Sequence, residues 1–247
     1  MESIQGVRTK LVLISRSFGA IRIPLAQSFN YTPRITERTI NEFDNLEAAQ
    51  VVTSFDGIDV TFDYLDSDSH LVESCFANAD PGADVTIDDP TAYKQVNVFA
   101  NMKGLESGKI FASILAKNCR AKGSPYTEPV KEEARVSRDL SGTNVLKVKG
   151  GAILYTRILA ATPDVSVYEQ IIPPNAYEDD NFPATTPFEV TLAKTGIDVG
   201  GSKYYLWVLK NGSEATTGFT VTDEKFTVDA EPEDTDIWEV FTVYIDS

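Results

Sequence analysis

A mainly β chain is predicted by three features of these 247 residues. β-Branched and aromatic side chains cluster in short runs, several runs alternate apolar with polar residues, and Asp-Gly, Asn-Gly and Gly-Gly dipeptides separate them. An apolar content of 42% with 10% aromatic residues is incompatible with general disorder. Charge divides the chain further. Residues 161–247 hold 17 acidic and 4 basic side chains, whereas residues 1–160 hold 20 and 18, a partition that predicts two modules, 1–162 and 163–247. The class expected is a β-sandwich with one short helix, followed by a small, acidic C-terminal β-sandwich.

Strands are expected first at Thr9 to Ser15 and Ile21 to Phe29, as an N-terminal hairpin. A long polar excursion rich in Arg and Glu follows. Val51 to Phe55 and Ile58 to Tyr64 flank Asp56-Gly57, a dipeptide suited to a two-residue type I′ hairpin. In the following DSDSHLVESCFAN, Asp66, Ser67 or Ser69 can cap a short helix. Its apolar face would carry Leu71, Val72, Cys75 and Phe76, and Asn78 and Pro81-Gly82 would end it. Gln95 to Asn101 is a strand. Leu105 to Lys117 has helical length, but Gly108 and its β-branched residues favour a strand from Lys109 to Asn118 equally. Residues 121–131 read as loop, then Asn144 to Val148 and Ala152 to Leu159 as strands.

Beyond Pro163 strands are expected at Asp164 to Ile172, Phe188 to Ala193, Lys203 to Lys210, Phe219 to Thr222, Lys225 to Asp229 and Ile237 to Ile245. The third of these turns at Asn211-Gly212. Pro173 to Pro187, with four prolines and the cluster Glu178, Asp179, Asp180, reads as an exposed connection. A compact, immunoglobulin-like sandwich without a Cys…Trp…Cys signature would contain these strands.

Several function classes lose support from composition. A net charge of −15 opposes binding to nucleic acid, although DNA could slide past an acidic wall. No apolar run approaches the roughly 18 residues of a membrane span, and the N-terminus lacks the pattern of a signal peptide. One histidine, His70, and two distant cysteines, Cys75 and Cys119, cannot assemble a structural zinc site; both thiols are expected reduced and buried, with a disulfide between them as the alternative, since sequence does not give their Cα separation. Ser67, Ser69 and His70 beside Asp66 and Asp68 lack a nucleophile elbow, and helix capping accounts for them. A calcium loop starting at Asp66 would need Gly and Glu where Leu71 and Ala77 stand. Glu178, Asp179 and Asp180 read as a solvated loop rather than a cation site. Trp207 and Trp238 read as core anchors, and Gly150-Gly151 and Gly200-Gly201 as turns without a phosphate cradle. Carboxylate pairs for glycoside hydrolysis stay open among 37 acids. No catalytic, cofactor-binding or metal-binding residue, and no cofactor, is assigned.

Charge is segregated along the first module as well. Residues 1–35 sum to +4, residues 36–92 to −13 and residues 93–160 to +7. Solvated faces explain this, and so does self-complementarity, in which an acidic part of one copy meets a basic part of the next.

The order of elements carries a resemblance. An N-terminal hairpin, the excursion TPRITERTINEFDNLEAAQ, the segment VVTSFDGIDVTFDY, the stretch SHLVESCFAN and the closing PVKEEARVSRDLSGTNVLKVKGGAILYTRI resemble the tail tube, or major tail, proteins of long-tailed bacteriophages over residues 5–160. The resemblance implies a tail-tube-like β-sandwich flanked by a helix, six copies forming a ring, and rings stacking into a tube that conducts the genome at ejection. It implies a protein made in the host cytoplasm and placed in the virion tail, with itself, other tail proteins and passing DNA as partners. The excursion from Pro33 to Gln50 would then be a long loop that reaches a neighbouring ring through Arg34, Glu37, Arg38, Glu42, Asp44 and Glu47. Residues 163–247 would decorate the tube. The rival readings are a monomeric carbohydrate- or surface-binding module using Tyr204 or Trp207, and another virion ring protein such as a tail terminator or decoration protein.

Overall fold

The computed structural model describes residues 7–15, 19–23, 26–41, 48–65, 76, 94–104, 110–123, 126–127, 135–149, 151–159, 165–168, 178–182, 188–191, 206–222, 225–229, 233 and 235–245. The strands in chain order are β1 (Val7–Ser15), β2 (Gly19–Arg22), β3 (Ala26–Asn41), β4 (Ala48–Leu65), β5 (Val96–Gly104), β6 (Ile110–Gly123), β7 (Tyr126–Thr127), β8 (Arg135–Gly142) and β9 (Asn144–Lys149). They continue with β10 (Gly151–Leu159), β11 (Val165–Tyr168), β12 (Glu178–Phe182), β13 (Phe188–Thr191), β14 (Leu206–Lys210), β15 (Ser213–Glu214), β16 (Phe219–Thr222), β17 (Lys225–Val228) and β18 (Ile237–Ile245). The protein is mainly β, with antiparallel pairing throughout the described ladders. Of the helix expected after Leu65, only Phe76 is described; it is helical, buried, and accepts a hydrogen bond from the Lys94 amide at 2.8 Å. Asp66, Ser67, Asp68, Ser69, His70 and Cys75 lie outside the described residues.

The chain forms two compact units. One comprises Met1–Arg22, Phe99–Ile114 and Lys147–Ser247, the other Ile23–Val98 and Leu115–Leu146. These do not coincide with the charge step at 162/163. β10, expected to close the N-terminal module, pairs with β18 in register from Gly151↔Ile245 to Leu159↔Ile237.

In the unit that holds Ile23–Val98, the antiparallel order is β6-β8-β4-β3. Strand β4 explains the layering. Ile58, Val60, Phe62 and Tyr64 are fully buried, whereas Asp59, Thr61 and Asp63 between them are half-exposed. Each of those large apolar side chains contributes about 1.5–3 kcal/mol by leaving water. Across the ladder Val136, Arg138 and Leu140 of β8 face Tyr64, Phe62 and Val60 on the same buried side. Arg138 is 2% exposed and its Nη2 donates to Tyr64 Oη at 3.4 Å. That arginine, at an apolar phase of the alternation, hid β8 from the sequence reading. The opposite face is polar: Ser28 donates to Asp63 at 2.8 Å, and Asp139 and Ser141 pair with Thr61 and Asp59.

Two expectations are overturned here. Asp56-Gly57 does not turn the chain: β4 runs 18 residues straight through it, opposite the 16 residues of β3. Arg34 pairs with Gly57 and Ile35 with Phe55, leaving Asp56 as the extra residue of a β-bulge. Gly57, at φ +114°, supplies a backbone conformation that a hairpin would also have used. The partner of Val51 to Phe55 is therefore the excursion read as a loop, which is the outer half of β3. Pro33 is tolerated there because β3 is an edge strand. Elsewhere, of the residues weighed between helix and strand, 110–117 are described and lie in strand β6, which extends to Gly123 into the stretch expected as loop, and β7 follows it.

Cys119 of β6 is fully buried, and burial pushes its thiol up to about 12, with the Val98 backbone hydrogen bond pulling the other way. The neutral thiol neither attacks nor ligates at physiological pH. In a Cys75→Ser chain, maleimide labelling of Cys119 is expected to proceed only at the rate of opening, rising in step with urea-induced unfolding. Fast labelling of the native protein would contradict its burial.

The other unit holds the β1–β2 hairpin, with Val12↔Arg22 to Ser15↔Gly19 in register. It also holds a six-stranded sheet, β12-β11-β10-β18-β14-β15, and a three-stranded sheet, β13-β17-β16. Trp238 of β18 meets Phe226 and Phe219 of the smaller sheet edge-on at 5.6 and 6.1 Å, which joins the two sheets as a sandwich. On the other face of β18, Phe241 touches Tyr155 and Trp207 at 5.0 and 4.7 Å. Both tryptophans are core anchors, 3% and 2% exposed. Residues 178–182, expected in an exposed connection, form β12, so Glu178 and Asp179 pair with Tyr168 and Val167 of β11. Backbone pairing with β11 overrode the local proline signal.

Asn211-Gly212 is the two-residue turn its sequence predicts, both residues at positive φ (53° and 79°) between Lys210↔Ser213. The turn is tied to the start of β18 through Asp236, whose carboxylate takes Asn211 Nδ2 at 2.8 Å, the Glu233 amide at 3.1 Å and Lys210 Nζ at 2.8 Å. Burial alone would raise the Asp236 pKa; the hydrogen bonds from Lys210, Asn211 and Glu233, with the Lys210 charge, hold it below the ordinary 3.8. A depressed carboxylate stabilises the fold at neutral pH, and that contribution fades as pH falls from 3.8 through the lower folded value. Asp236→Asn is expected to cost about 2 kcal/mol at neutral pH and to remove part of the stability loss on acidification. Paired urea titrations above and below about pH 4 check both signs.

Candidate assembly interface

Strand β8 pairs as far as Gly142, opposite Ile58, so among the described residues only the inner half of β4 has partners on both sides. Beyond the Asp56 bulge β3 and β4 continue, alone among the described residues, as a two-stranded arm, from Ile35↔Phe55 to Asn41↔Ala48. Register assigns its faces. Ile35 and Glu37 share one side with Phe55, Thr53 and Val51; Thr36 and Arg38 share the other with Ser54 and Val52. All six residues from Val51 to Asp56, and Ile35 to Arg38 opposite, are exposed. Large apolar groups stand out among them: Ile35 is 59% exposed, Phe55 56%, Val51 56% and Val52 40%. A two-stranded ribbon is marginal alone in water, and apolar surface of this kind marks a contact site.

Polar groups fix the base of the arm. Asp56 accepts from Thr36 Oγ1 and, at 3.1 Å, from Ser54 Oγ, tying the bulge to both strands. Arg34 Nη2 donates to the Asp56 carbonyl at 3.2 Å, and its Nε lies 3.5 Å from Asp59 Oδ1, which also pairs with Lys122. These half-exposed ion pairs are each worth about 0–1 kcal/mol, so they orient more than they stabilise.

Of the six residues expected to reach a neighbour, three are described. Arg34 sits at the base of the arm, and Glu37 and Arg38 lie on its opposite faces. All three are strand residues, not loop residues. Glu42, Asp44 and Glu47 lie outside the described residues. The sequence reading concentrated on charge and passed over Ile35, Val51 and Phe55, which share one face once β3 is paired with β4, and Val52 on the other face. Trp207, offered for sugar binding, is buried and unavailable, and Tyr204 lies outside the described residues. Among the described residues, no group of three or more His, Cys, Asp or Glu is arranged to hold a metal ion.

No family model matches the sequence, and no curated protein does. Solved structures do. The SPP1 tail tube aligns at 14% identity and a TM-score of 0.38, over 60% of this chain and 80% of that one. A chain of the anti-feeding prophage baseplate aligns at 8% identity and a TM-score of 0.41, over 60% and 97%. Hcp1 from Salmonella typhimurium aligns at 10% identity and a TM-score of 0.32, over 69% and 91%.

Proposed function

We propose that this chain is a non-enzymatic structural subunit that self-associates into stacked rings, six copies to a ring, to form the tail tube of a bacteriophage. The observation that carries this reading is the arm: a two-stranded extension with Ile35, Val51, Val52 and Phe55 exposed has no use for a monomer and a clear one for a neighbour. A long strand, β3, at the edge of its sheet among the described residues, offers a further backbone edge for joining copies. The hydroxyl- and carboxylate-bearing face of β3, β4 and β8, with Ser28, Thr61, Asp63 and Asp139, suits a lumen wall past which DNA slides without sticking. The acidic residues 163–247 suit an outer surface that resists aggregation.

Negative-stain electron microscopy and sedimentation velocity across protein concentration and salt test the reading. Rings or tubes with a central channel are the expected result. Moderate salt should leave the apolar arm contact intact while weakening contacts between exposed charges. A chain that remains monomeric at every concentration would sink the proposal and move weight to a surface-binding module.

A further inference from the structure

The base of the arm holds a cleft of about 410 Å³ bordered by Arg34, Asp56, Gln95, Asn118, Arg120 and Thr143. Its floor is built from backbone. A Cβ on Gly57 would lie 2.6 Å from the Gly142 carbonyl oxygen, so the two glycines meet as closely as the chain allows. Asn118, at φ 51°, is held by its amide donating to Asn97 Oδ1 at 2.9 Å, and the Thr143 amide donates to the Lys117 carbonyl at 3.0 Å. The cleft is therefore preorganised. Arg34 Nε, buried and 3.5 Å from Asp59 Oδ1, makes no hydrogen bond, and the exposed Arg120 guanidinium makes no ion pair or hydrogen bond among the described residues.

We propose that this cleft receives residues 42–47 of a second copy, the segment that joins β3 to β4; this rests on the reading above that the arm joins successive rings. The segment Glu-Phe-Asp-Asn-Leu-Glu carries Glu42, Asp44 and Glu47 and no base, the complement of Arg34 and Arg120. Phe55, which also borders the cleft, offers an apolar contact to Phe43. A chain cannot fill its own cleft this way, because the β3–β4 ladder from Arg34 to Asn41 separates the two ends by about 23 Å at ~3.3 Å per residue. Donor and receptor sit at opposite ends of one arm, so the contact is heterologous. It repeats without closing, as a stack does.

The test uses the full chain and follows assembly by sedimentation velocity and negative stain. Arg120→Glu is expected to raise the concentration needed for stacking about tenfold or more. Arg120→Gln is expected to raise it about threefold. Adding Glu42→Arg and Asp44→Arg to Arg120→Glu is expected to restore stacking, and an Asp44→Cys copy is expected to form a disulfide with a Thr143→Cys copy. Should Arg120→Glu lose its β-sheet circular dichroism, Thr143→Glu places the same charge at the rim in its stead. Wild-type stacking by Arg120→Glu, or failure of the charge exchange to rescue, would overturn the cleft as receptor. If, in that case, Ile35→Asp/Phe55→Asp still abolishes assembly, the arm reading stands; if it too assembles normally, both readings fall.

Discussion

The double substitution Ile35→Asp/Phe55→Asp is expected to abolish self-association while leaving a folded monomer. These residues are direct cross-strand partners on one face of the arm and remain 59% and 56% exposed, so the monomer does not use them as core. Their loss should cost the isolated fold less than about 1 kcal/mol, the scale of a cross-strand pair. At an interface each would contribute about 1.5–3 kcal/mol by burial, and two carboxylates in their place would have to be desolvated. Every subunit of a repeating assembly carries the defect, so the effect compounds. Sedimentation velocity reports association and thermal circular dichroism reports the fold. Ile35→Ser/Phe55→Ser separates lost apolar contact from repulsion between facing aspartates. Normal assembly of both variants would remove the arm from the interface.

Gly57→Val is expected to be the most destabilising single change, at about 3–5 kcal/mol, the sum of backbone strain and overpacking. Gly57 is buried at φ +114°, and a Cβ there would meet the Gly142 carbonyl at 2.6 Å and the Arg34 guanidinium at 2.9 Å. Arg34 can swing away, but the carbonyl belongs to the backbone of β8 and cannot. Against the 5–15 kcal/mol stability typical of a domain, such a loss shifts a urea midpoint far enough to measure directly. Gly57→Asn distinguishes a bulge from a hairpin. In a type I′ turn asparagine is nearly neutral, whereas on this packed floor it should destabilise almost as much as valine. A neutral Gly57→Asn would restore the hairpin.

Asp56-Gly57 and Asn211-Gly212 are equivalent signals in sequence, yet only the second turns the chain. Around Asn211 the flanking residues pair with each other, Leu209 with Glu214 and Lys210 with Ser213, and Asp236 locks the turn. Around Gly57 the flanking runs both pair with β3, and the inner run pairs with β8 as well. A glycine permits positive φ without dictating whether a turn or a bulge uses it. Strand β8 escaped for a related reason. Arg138 occupies a buried phase between Val136 and Leu140, where local periodicity reads a surface residue.

The mainly β character, the strands from β1 to β18 with strong β-branched runs, the anchoring of Trp207 and Trp238 and the burial of Cys119 follow from residue chemistry, because propensity and alternation act over a few neighbours. Pairing does not. Residues 33–41 are as polar as a loop, and their strand exists because β4 lies alongside with matching register; β10 belongs with β18 although more than seventy residues separate them in the chain. The arm, its exposed face and the cleft at its base arise from contacts between distant segments. Local composition carries no record of such contacts, since backbone hydrogen bonds in a ladder are indifferent to which side chains they join.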